Sequence, residues 1–158
     1  MTSAFATYLS LLREISRTLV SLTETAQQKT AAVRQDNLAV LNECLKREQA
    51  LSLSLRGFEQ KRAAATKDLG FDESIPLSGL AAHCPVELQP EAKAAAEELL
   101  QNYQLYRSAS EVARSTLECN LHQIEKVLAA SGEAEISGAG YDAAQPEPPA
   151  PMKTDFRA

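Results

Sequence analysis

The chain has 158 residues, no tryptophan and 5% aromatics against 44% hydrophobic residues, so one domain with a core of leucine and alanine is expected. Acidic side chains outnumber basic ones, giving a net charge of −5 and a pI near 5.1, which argues against nucleic acid as a partner because phosphates demand a basic face. No apolar run reaches the roughly 18 residues of a membrane span, so no membrane insertion is expected. The N-terminus lacks a basic n-region and a cleavage site after an apolar core, so no secretory signal is expected.

Residues 4–34 form the first periodic segment. Apolar positions recur in steps of four and three through Tyr8, Leu12, Ile15, Leu19, Leu22, Ala26 and Val33, with Lys29 interrupting. That spacing predicts a helix with a coiled-coil-like face. Residues 37–69 form a second, with a seam through Leu41, Cys44, Glu48, Leu51, Leu55, Phe58, Arg62, Ala65 and Leu69. The second seam is displaced by one residue from the first, about 100° around a continuous helix. The displacement falls at Arg34-Gln35-Asp36-Asn37, where Asp36 or Asn37 suits an N-cap, so a helical hairpin is expected rather than one rod. Leu69-Gly70-Phe71 carries the C′ glycine and apolar C″ residue of a Schellman stop. Gly57 marks either a close helix–helix approach or a tolerated surface glycine.

Residues 70–89 read as a connector, with Pro76 and Pro85 bracketing one or two helical turns that Ser78 is placed to cap. Residues 90–131 then give the longest segment. Pro90 suits a first helical residue, no further Pro or Gly intervenes before Gly132, and the seam runs through Leu99, Tyr103, Tyr106, Ala113, Leu117, Ile124 and Val127. Ser110 and Asn120 interrupt that seam, and Leu100, Val112, Leu121 and Leu128 widen it. Residues 132–158 change to a Pro- and Gly-rich acidic composition that predicts a flexible tail. The expected architecture is all-α: an elongated bundle of three long helices, with a short connector helix and that tail.

No catalytic constellation is visible, so binding rather than enzymatic activity is expected, with no cofactor. The two histidines are His83, beside Cys84, and His122, three residues after Cys119. A structural zinc site needs about four ligands, and no further pairs stand ready. The cysteines, Cys44, Cys84 and Cys119, are odd in number and widely spaced, which fits a reducing cytoplasm better than a disulfide framework.

The stretch from Ala31-Ala32-Val33-Arg34-Gln35-Asp36-Asn37-Leu38 through Leu41-Asn42-Glu43, Arg47-Glu48-Gln49 and Leu51 to Phe58-Glu59, Arg62 and Leu69-Gly70 resembles the FlgN family, and the third helix and tail are similar in layout. The resemblance implies a cytoplasmic type III export chaperone of the bacterial flagellum. It would hold the C-terminal helical segments of the hook–filament junction proteins FlgK and FlgL and deliver them to the export gate, with FlhA as receptor. The widest apolar stripe nominates Tyr103, Tyr106, Val112, Leu117, Leu121, Ile124 and Leu128 as the cargo surface, the tyrosines foremost because tyrosine suits a half-wet interface. Tyr141 and then Phe156 are the expected docking residues for the gate. The alternative is a structural or regulatory coiled-coil adaptor that self-associates through the same stripe, and a weak homo-oligomer is a further expectation.

Overall fold

The structure, a computed structural model, describes residues 2–132; Tyr141, Phe156 and the rest of the expected tail lie outside the described residues. Four helices follow one another: α1 (Thr2–Arg34), α2 (Leu38–Asp68), α3 (Leu77–Ala82) and α4 (Gln89–Ser131). The described residues contain no strand, and no described helix is long and apolar enough to cross a membrane.

α1 is the central element. It packs against both α2 and α4, while the backbones of α2 and α4 do not come within 8 Å of each other. Every residue of its apolar seam is buried, from Tyr8 through Leu12, Ile15, Leu19 and Leu22 to Val33. α2 returns antiparallel to α1: Arg47 donates to Gln28 at 2.9 Å near one end. At the other end Arg62 and Thr66 reach the Tyr8 hydroxyl.

The turn between them explains why no glycine or proline is needed. The Asp36 N–H donates to the Val33 carbonyl at 3.2 Å and the Asn37 N–H to the Ala32 carbonyl at 2.9 Å, the two bonds of a Schellman motif. Asp36 occupies the left-handed position, with φ +54, which aspartate tolerates better than most residues because its short polar side chain bonds locally. Asn37 then starts α2, its side-chain oxygen accepting from the Val40 N–H at 3.2 Å. One residue therefore closes α1 and opens α2.

α2 ends at a second Schellman motif, with Gly70 at φ +85, its N–H donating to Lys67 at 2.8 Å and the Phe71 N–H to Thr66 at 3.1 Å. The connector then crosses the open end of the hairpin. Pro76, rather than Ser78, takes the N-cap position of α3, so Ser78 lies inside the short helix. Leu77, Leu80, Ala81 and Cys84 join the core cluster there. α4 begins at Gln89, which puts Pro90 one residue inside the first turn, and ends at Gly132 in the left-handed conformation. A Cβ placed on Gly57 meets nothing within 4 Å, so this glycine serves no close helix approach.

One polar interruption from each hairpin seam is paired with the other. Lys29 of α1 meets Glu48 of α2 at 2.7 Å, both largely sheltered from solvent. Each alone breaks the apolar pattern of its helix. Together they form one polar layer, and Tyr106 of α4 joins it: burial first, and then the nearby Glu48 carboxylate, pushes its hydroxyl above its ordinary value.

Candidate functional site

The orientation of α4 sets up the site. Arg13 near the start of α1 is ion-paired with Glu91 near the start of α4. Val33 and Arg34 at the end of α1 share a groove with Ser108, Val112, Thr116 and Asn120 of α4. The two helices therefore run parallel from the same end. α4 starts beside Arg13, inside α1, and has 43 residues against 33, so it runs on past Arg34. From Leu117 to Ser131 the overhang is roughly 20 Å at 1.5 Å per residue.

Burial follows that geometry residue by residue. In the first half of α4, Ala92, Ala95, Ala96 and Leu99 pack against the core, and Ala113 is the last buried position. The first four belong to the same core cluster as Leu77, Leu80 and Ala81 at the connector helix. Beyond Ala113 the same seam comes out into solvent. Leu117 and Leu128 are half-buried, Leu121 is 40% exposed, Ile124 49% and Val127 69%. Near α1's end an open groove of about 800 Å³ is lined by Val33, Val112 and mostly polar side chains.

The seven cargo candidates therefore fall into two groups. Tyr103 and Tyr106 are half-buried and pack against the bundle core, and Tyr106 bonds to Ser110 on its own helix. They act first as the last tier of the bundle. Val112, Leu117, Leu121, Ile124 and Leu128 lie along the groove and the overhang, with two of the five half-buried and three exposed. Val127, a seam residue left out of the candidates, is more exposed than any of them. The groove itself escaped sequence reading, although the signal existed: the α4 seam runs on for longer than the α1 seam beside it.

The histidines and cysteines bring together no chemistry. His83 Nδ1 lies 2.7 Å from the Gly79 carbonyl and its ring leans on Phe71, so it fastens the connector. Cys44 and Cys84 are buried, and burial pushes the Cys84 thiol up, away from the reactive thiolate. Cys119 and His122 are exposed on α4. Among the described residues no group of three or more His, Cys, Asp or Glu is placed to hold a metal.

The site is thus an apolar helix face that no other described helix covers, a face suited to protein binding. The family model described as FlgN protein matches residues 1–148. No curated protein and no solved structure matched the chain. The chain belongs to the FlgN family, and membership implies a flagellar export chaperone.

Proposed function

We propose that this chaperone holds the C-terminal helical segments of FlgK and FlgL and hands them to the export gate, where FlhA is the receptor. The observation that carries the reading is the α4 overhang: an apolar stripe with no helix against it among the described residues. Such a face accepts an amphipathic helix through anchors spaced four and three residues apart, which Leu117, Leu121, Ile124 and Leu128 supply at i, i+4, i+7 and i+11. A segment laid there continues the line of α1 past its last residue, adding the missing tier of the bundle. Masking it keeps a client's coiled-coil-forming terminus from assembling before export.

Val112 and the groove beside Val33 take the near end of the client helix. Tyr103 and Tyr106 support that end from below by holding α4 against α1. For gate docking the assignment stays with Tyr141 and Phe156. The cell compartment that follows is the cytoplasm.

The experiment is co-purification of the chain with the C-terminal segment of a hook–filament junction protein, repeated with Leu121→Asp and Ile124→Asp. Retention of the parent chain and loss of the variants is expected. Equal retention of all three would remove the overhang from the account. Light scattering over a dilution series separates the adaptor reading, since a tight dimer that buries α4 would favour self-association over client holding.

A further inference from the structure

α2 is the least covered of the long helices: among its 31 residues only Cys44, Leu55 and Thr66 are buried. Its core seam meets α1, and among the described residues no helix lies against its outer flank. On that flank, steps of four and three lead from Leu38 through Asn42, Leu45, Gln49 and Ser52 to Arg56, with Leu53 alongside. Leu38 is 71% exposed and Leu53 68%, with Leu45 exposed between them. The second half of the row borders an open groove of about 530 Å³ lined by Leu45, Gln49, Ser52, Leu53 and Arg56 together with Glu48.

The charge of this flank differs in sign from that of the whole chain. Glu48 is committed to Lys29 at 2.7 Å. Glu43 lies off the row and meets Lys46 at 4.0 Å. No Asp or Glu occupies the steps from Leu38 to Arg56, and Arg56 makes no ion pair among the described residues. α2 carries six Lys and Arg against four Asp and Glu, whereas α4 carries four against six.

We propose that this flank of α2 is a second docking surface, which takes an amphipathic helix of a partner protein whose apolar stripe is bordered by carboxylates. The row spans roughly 22 Å from Leu38 to Leu53, the length of a helix of about 16 residues. Its leucines stand about two turns apart, the spacing at which one helix inserts a knob per heptad into another. Asn42 and Gln49 stand between the leucines. A helix meets such amides with polar side chains, whereas a bilayer offers them only hydrocarbon. The face lies on a different helix from the α4 overhang and does not depend on what the overhang binds.

The test uses two labelled 18-residue helical peptides with leucine at heptad positions, one flanked by Glu and one by Lys, titrated into the full chain by fluorescence anisotropy. The Glu-flanked peptide binds, the Lys-flanked one binds about tenfold more weakly or less, and added salt weakens the first. Paired Leu45→Ser and Leu53→Ser, and separately Arg56→Glu, each lower affinity for the Glu-flanked peptide about tenfold, while Ile124→Asp leaves it unchanged. The side chains altered are exposed, so circular dichroism melts of the variants match the parent. Equal binding of both peptides, parent-like binding by the α2 variants, or loss through Ile124→Asp would each overturn the proposal. So would Leu53-dependent co-sedimentation with phosphatidylglycerol–phosphatidylcholine vesicles in place of peptide binding.

Discussion

Residues 89–113 and 114–131 of α4 belong to one unbroken helix with one apolar period, yet the first set lies against α1 and the second projects past its end. Leu99 is fully buried, whereas Ile124, at the matching seam position further on, is half-exposed. The difference comes from the neighbour and not from the stripe. An amphipathic pattern states that a helix wants a partner; the partner's length decides where the chain itself stops supplying one. The unsupplied portion is where the proposed function places a client.

Substitutions at matched positions sharpen this comparison. Leu99→Ala or Leu19→Ala, each removing a fully buried leucine, should lower unfolding free energy by about 3 kcal/mol in denaturant titrations. Ile124→Ala should change it by no more than about 0.5 kcal/mol, as for an exposed site. Equal costs at Leu99 and Ile124 would mean that the overhang is covered within the monomer. Tyr106→Ala should fall between the two, at about 1–2 kcal/mol, because its ring is only partly buried in the bundle. Any effect of this change on client binding has to be corrected for that loss.

The polar layers give the next effects. Lys29→Ala leaves Glu48 without its partner in a sheltered position and should cost about 1–2 kcal/mol in denaturant titrations. At the alkaline end the sign follows from the tyrosines. Burial pushes the hydroxyls of Tyr8 and Tyr106 above their ordinary value of 10.0, so the unfolded chain gives up these protons first. Their contribution is present below pH 10 and is lost as pH rises through the raised values in the folded state. Tyr8→Phe should flatten the fall in melting temperature above pH 10.

Backbone sites carry the smallest effects, and both are stabilising. Asp36→Gly relieves a left-handed non-glycine residue in the hairpin turn, and a gain of about 0.5–1 kcal/mol is expected in thermal melts. Gly57→Ala adds a methyl into open space within a helix, with a similar expected gain of about 0.5–1 kcal/mol.

The helices, the hairpin and the stops at Gly70 and Gly132 were readable because each rests on local chemistry: period, cap and left-handed glycine. The turn at residues 35–37 was readable only through a phase shift between seams, since Asp36 does the work usually given to glycine. The pairing of Lys29 with Glu48 was invisible within either segment, each of which showed only a blemish. Ranking along the α4 stripe failed to foresee the division at Ala113 because exposure there depends on parallel registration with α1. That registration is set by a connector whose path no periodicity encodes. For this reason the tyrosines looked like the best interface residues, while Val127 went unmarked.

The central claim, that the second half of α4 is the client surface, is tested most directly by calorimetric titration of a hook–filament junction C-terminal segment into the parent chain and into Ile124→Asp, with a thermal melt of each. The account predicts a melting temperature shared by both proteins and an affinity lower by about tenfold or more in the variant. Undiminished affinity in a variant that melts with the parent would contradict it.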